Sequence, residues 1–305
     1  LYQFVEEAVQ ELQYRGQKNE NPDLRATAYS ALEMSLGVLH EFRVLDGKLV
    51  APAQGWGRPL EYAKWSPPSG FEVEVTIHDE SAKIPLSQLN EELLPLLFEE
   101  MELDFRDSEL LAAMLLDWQD EDDLPRLNGA EADTYNQYDP PYQPANRPLP
   151  TWEELARIEG FKTLFFRESG QPNELFAQFT SSVSLGHHNK VNLNTANPLV
   201  LQFIGRIEGF DSKLLDDHLR GRDDIRGTED DQILFREDND FYSSPDSGTP
   251  SLGQIEASLL RLEILCKRGD AELLLSALVS TRGGTEGDGK IPFSIPRLSE
   301  NLKIL

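Results

Sequence analysis

Phe71-Glu-Val-Glu-Val-Thr-Ile-His78 alternates apolar and polar side chains along its whole length, the period of a half-buried β-strand. His78 falls on the polar phase and reads as a surface histidine. Asp79-Glu80-Ser81 supplies turn residues, so 82–86 is expected to return as a second strand. There the strand signal stops. From Leu89 to about Leu262 the apolar residues recur at helical spacing. Leu93, Leu94, Leu96, Leu97 and Phe98 mark one helix. Leu110, Leu111, Met114 and Leu115 face inward from another, over 108–118. A third is expected at 152–158, where Thr151 and Glu154 have the spacing of a capping box. Strands return only at the end, at 258–267, 271–281 and 291–305, with Gly269-Asp270 as a tight hairpin turn and 302–305 closing the sheet.

Early and late strands can share one layer only if the helical block is an insertion into a single sheet. The expected fold is therefore α+β: an N-terminal helix on an antiparallel sheet, with a large all-helical domain inserted between strands. The expected divisions are 1–90, 91–262 and 263–305. The helix in front is legible in two stripes. Phe4, Val5, Ala8, Val9 and Leu12 share a face over 1–18. Leu24, Ala28, Ala31, Leu32, Leu36 and Leu39 share one over 23–43, behind the start signal Asn21-Pro22-Asp23. Residues 44–70 are rich in Gly and Pro and read as a loop pinned by Trp56 and Trp65.

The inserted block carries most of the chemistry. Asp117, Asp120, Glu121, Asp122 and Asp123 follow an apolar helix end, and Glu131 and Asp133 come shortly after. Pro125 and Gly129 prevent regular structure between the two groups. Gathering these carboxylates costs Coulomb repulsion unless a cation sits among them. Oxygen-only donors with neither Cys nor His select a hard ion, calcium rather than zinc. The candidate ligands are Asp117, Asp120, Asp122, Asp123, Glu131 and Asp133, with Asp120, Asp122 and Glu131 foremost. The loop lacks EF-hand spacing. With 54 acidic residues in the chain, a solvated acidic loop is the competing reading. Against that reading stand the rigid anchors that follow: Tyr135, Tyr138, Pro140, Pro141, Tyr142 and Pro148. The acidic segment 222–251 reads as a flexible loop, and a second calcium site is conceivable at 238–246.

Four blocks, Asp117–Pro125 (DWQDEDDLP), Gly129–Glu131 (GAE), Asp139–Leu149 (DPPYQPANRPL) and Val191–Leu201 (VNLNTANPLVL), occur in an order and spacing that resemble the K-type minor pseudopilins of type II secretion systems. The resemblance covers about 24–305. It implies a pilin-like first domain whose helix packs into a filament. It further implies a place at the pseudopilus tip with I- and J-type minor pseudopilins, where the subunit helps initiate or cap the filament. The helical domain suits a tip, since it would clash with a subunit stacked above. Localisation would be the periplasmic part of an inner-membrane-anchored protein, with an anchor helix ahead of Leu1 that this chain does not include.

Other functions find less support. A net charge of −26 opposes nucleic acid and anionic membrane surfaces. The sequence I-E-G-F occurs at 158–161 and at 207–210 inside two helix–hairpin-like units, but Asp211, Asp216, Asp217, Asp223 and Asp224 would repel phosphate. His187 and His188 are adjacent and cannot face one metal together, so they read as a loop. Asn194 or Thr195 is expected to cap a helix starting near Pro198. Cys266, the lone cysteine, sits in an apolar run and reads as buried and inert. No stretch is long and apolar enough to span a bilayer. Catalytic motifs are missing too, and the chain reads as non-enzymatic. The alternative is a calcium-dependent extracytoplasmic hydrolase or binding module using the loop 117–133. Buried Trp118, Tyr135 and Tyr142 would favour the structural subunit; an exposed aromatic platform would favour the module.

Overall fold

The computed structural model describes residues 22–226, 228, 230–236, 239–242, 251–283, 285–286, 289–290 and 293–304. The expected helix over 1–18, and positions 238 and 243–246 of the conceivable second calcium loop, lie outside the described residues.

Helix α1, Pro22–Asp46, ends before Gly47, whose φ of 77° terminates it. Its apolar stripe packs on a four-stranded antiparallel sheet. Strand β1 is Glu72–Asp79, β6 is Leu259–Arg268, β7 is Ala271–Ser280 and β10 is Ser294–Ile304, in the order β1-β6-β7-β10; the two-residue strands β8, Thr285–Glu286, and β9, Gly289–Lys290, pair with each other. β1 and β6 are antiparallel neighbours, with Val75 opposite Ile264, so the strands before and after the insertion do share one layer. Ile295-Pro296 puts a bulge into β10, as a residue without an N–H must.

The insertion has its own core. It is built from α3 Leu93–Glu100, α4 Phe105–Gln119, the short α5 Ala132–Tyr135, α6 Glu159–Leu164, α7 Glu174–Ser182, α8 Pro198–Glu208 and α9 Ser212–Leu219; the short helix α2, Pro59–Tyr62, precedes β1 and packs through Leu60 on the core of the sheet. Phe98 meets Phe161, Phe165 and Phe179 at ring distances of 5.9, 6.4 and 5.7 Å. All four rings are fully buried, a site where truncation to Ala costs about 3–5 kcal/mol.

Several expectations are corrected. Residues 82–86 do not return along β1. Asp79 accepts the Ser81 N–H at 2.9 Å, a tight turn over Glu80–Ala82 throws the chain off the sheet, and Pro85 has no N–H for a ladder. Ile84–Pro85 (β2) instead pairs in parallel with Val183–Ser184 (β3). Val191–Asn192 (β4) likewise pairs with Gly253–Gln254 (β5), so the inserted lobe is mainly but not wholly helical. Residues Trp152–Arg157 form a 3-10 helix, and Thr151 makes no side-chain cap hydrogen bond. Glu154 is engaged elsewhere: it accepts from Trp118 Nε1 at 2.8 Å and from Arg147 at 3.0 Å. The cap of α8 is Asn197, which takes the Val200 N–H at 2.9 Å, rather than Asn194 or Thr195. The two I-E-G-F copies differ in role: Gly209 is a left-handed helix end at φ 82°, whereas Gly160 lies where a Cβ would crowd Leu110 and Leu111.

Thr195, with Asn192, serves the junction between lobe and sheet, and Asn194 ties segments of the lobe together. Asn192 Nδ2 donates to Val50 O and Asp79 Oδ2, both at 2.7 Å. Thr195 Oγ1 donates to Asp79 Oδ2 at 2.6 Å. The Asn194 amide bridges Leu234 and Ile255, donating to their carbonyls at 3.1 and 3.0 Å and accepting the Leu234 N–H at 2.7 Å. The lobe therefore leaves the sheet near Val50, at the C-terminal end of α1. The other end of that helix is marked by the Asp23–Arg268 pair at 3.1 Å.

Candidate metal centre

The last turn of α4 carries a carboxylate where the helix macrodipole disfavours one. Asp117 is fully buried there, between Leu116 and the buried Trp118. Asp120 caps the same helix end. The chain then turns at Pro125, and the Arg126 backbone N–H points back at the Asp117 carboxylate, 3.2 Å from Oδ2. The Gly129 N–H donates to Arg126 O at 2.9 Å. Gly129 has to be glycine because a Cβ there would overlap Asp117. Past it, Glu131 stands at the start of α5 with its side chain buried.

This route brings one oxygen each from Asp117, Asp120 and Glu131 within 4.8 Å of one another. Arg126 Nη1 donates to Asp117 Oδ1 at 2.7 Å and to Asp120 Oδ2. Neither oxygen of Glu131 has a hydrogen-bond partner, nor does Asp120 Oδ1. Burial first, then the fields of Asp117, Asp120, Asp123 and Asp122, push the Glu131 carboxyl up to about 7. A buried carboxylate with both oxygens idle costs several kcal/mol unless it is protonated or meets a cation. Three converging carboxylates and two sets of orphaned lone pairs fit a hard divalent ion that completes its shell with water or carbonyl oxygen.

Of the six acids singled out in sequence, three therefore converge. Asp122, Asp123 and Asp133 are exposed, and Asp122 Oδ1 is taken by the Leu124 N–H at 2.9 Å. Two residues of the site were missed. Arg126 stands inside the acidic run, where a lone cation is itself a signal. Gly129 belongs to the G-A-E block, where the sequence alone marks it only as a helix breaker.

Aromatic rings wall the site. Trp118 and Tyr135 are fully buried, with ring centres 5.1 Å apart. Half-buried Tyr142 lies 5.3 Å from Tyr135 and donates its hydroxyl to Arg157 O at 2.9 Å. The rings are a foundation under the carboxylates, not a platform open to a ligand. The neighbouring histidines stay apart: His187 is exposed, and His188 is buried with Nδ1 on Lys190 O at 3.0 Å.

Residues 77–168, which include this whole loop, match a family model described as type II secretion system (T2SS), protein K. Among solved structures the fold resembles a chain of the GspK–GspI–GspJ complex from the enterotoxigenic Escherichia coli type 2 secretion system. The TM-score is 0.60 at 16% identity, covering 92% of this chain and 97% of that one. No curated protein matches in sequence. The family model bears out the resemblance to type II secretion protein K over 77–168, and the structural likeness bears out the fold. Among the described residues, no helix is long and apolar enough to cross a membrane.

Proposed function

We propose that this chain is a K-type minor pseudopilin, a non-enzymatic subunit that joins I- and J-type minor pseudopilins at the tip of a type II secretion pseudopilus. There it helps initiate or cap the filament used for protein secretion. The observation that carries this reading is the helical lobe inserted between β1 and β6, in a chain whose fold resembles, over 92% of its length, one solved in the GspK–GspI–GspJ complex. Its position adds a physical reason. The lobe leaves the sheet at the C-terminal end of α1, so a filament reached through the other end of that helix would be blocked above and open below. The subunit would act in the periplasm, held to the inner membrane.

Calcium is proposed as a structural ion on Asp117, Asp120 and Glu131. The support is the pair of idle Glu131 oxygens and the oxygen-only donor set. When bound, the ion would tie α4 to the start of α5 and so fix the loop against the aromatic wall. The buried Trp118 and Tyr135 speak against a hydrolase or binding module, which needs an open platform beside the ion.

The experiment is co-purification. Mixed with the I- and J-type minor pseudopilins of the same genome, the protein should elute as a three-component complex. Elution of all three as separate species, in calcium and at micromolar concentration, would refute the reading.

A further inference from the structure

Arg126 stands where part of the divalent ion's charge would act. Its Nη1 bridges Asp117 and Asp120, while Nε pairs with Glu91 at 2.8 Å. Two of the three candidate ligands are thus already held by a monovalent cation on the protein itself, and the third, Glu131, has no partner. One guanidinium cannot neutralise three carboxylates. A divalent ion on the same oxygens would lie within a few ångströms of the guanidinium, and the two positive charges repel. A way out exists. Glu91 is largely exposed and already bonded, so the side chain can leave Asp117 and Asp120 while keeping one ion pair.

We infer that Arg126 is a built-in competitor for the divalent ion. It holds the ion-free loop together by bridging Asp117 and Asp120, and it withdraws towards Glu91 when the ion binds. Its charge therefore sets calcium affinity below what the carboxylates alone would give. This rests on the calcium reading above, and deepens it by naming the residue that tunes the site.

The test is calcium titration by calorimetry on the wild-type protein, Arg126→Gln and Glu91→Gln. Removing the competing charge should tighten binding roughly tenfold or more. Removing Glu91 takes away the place to which the guanidinium withdraws, so Glu91→Gln should bind calcium more weakly than wild type. Melting in EDTA supplies an independent readout: Arg126→Gln should melt lower than wild type without calcium and draw level with it at saturation. Unchanged or weaker binding by Arg126→Gln, in a wild type that does bind calcium, would overturn the inference and leave the calcium site standing. Failure of every variant and of wild type to bind millimolar calcium would overturn the calcium reading and the inference with it. Should Arg126→Gln not fold without calcium, Glu91→Gln decides alone: equal or tighter binding by this surface variant would overturn the inference.

Discussion

Asp79 and Glu131 are both carboxylates placed where the lobe is tied down, and they are treated in opposite ways. Asp79, at the end of β1, takes the Ser81 N–H and hydroxyl on one oxygen and Asn192 and Thr195 on the other. Glu131, at the start of α5, takes nothing. A carboxylate with its lone pairs filled by fixed donors is a finished joint that needs no ion, although burial holds the Asp79 carboxyl above the usual carboxylate range against the bonds from Ser81, Thr195 and Asn192. One with idle lone pairs among other acids is an unfinished joint. The first fastens the lobe to the sheet by sequence alone. The second makes the packing of the lobe depend on what the solvent supplies.

The largest effect is expected at the finished joint. Asp79→Ala strips partners from Asn192 and Thr195, leaving polar groups that water reaches poorly. Denaturant titration should show a loss of about 3 kcal/mol, the same in EDTA as in calcium. A loss that shrinks when calcium is added would break the contrast, because it would mean that the two joints are coupled.

At the unfinished joint the sign reverses with the solvent. Saturating calcium should stabilise the protein by about 2.7 kcal/mol at a hundred times its dissociation constant, and Glu131→Gln should abolish that gain. In EDTA the same substitution should stabilise, since it removes a buried charge that has no partner. Proton competition fixes the pH dependence. With the Glu131 carboxyl pushed up to about 7, calcium must displace a proton below that pH, so affinity should weaken about tenfold per unit as pH falls from about 7 towards 5. A pH-independent affinity would remove Glu131 from the set of ligands.

How much of this was legible follows from the kind of signal. The alternation of β1 and the stripe of α1 are one-dimensional patterns, and both survive folding. The insertion followed from where strand signals stop and resume. The exit of the chain at Ile84–Pro85 was not legible, because the alternation continues there while the Asp79 cap and Pro85 act through geometry. Thr195 reads as a helix cap in sequence because its actual partner, Asp79, is more than a hundred residues away. In the acidic run the chemistry was plain, but convergence was not. Asp120 and Asp122 are neighbours in sequence, yet only Asp120 sits on the helix end that faces Asp117. Pro125 and Arg126 then set the return path, and that path is a property of the folded loop.

The smallest effects belong to the acids that the fold leaves outside. Asp123 and Asp133 are exposed, and an exposed charge acts on the site only through solvent, screened over about 8 Å at physiological salt. Substituting either by Ala should leave stability within about 0.5 kcal/mol and calcium affinity within roughly threefold, in the direction of weaker binding because a negative charge is lost. Asp122 differs only in also holding the Leu124 N–H, so Asp122→Ala should cost about 1 kcal/mol more in stability and no more in affinity. A tenfold loss of calcium affinity in Asp122→Ala would have one physical meaning. The loop 120–128 would fold over the ion on binding, bringing in an acid that the ion-free geometry holds outside. The unfinished joint would then be a clasp that closes on its ion rather than a seat waiting for it.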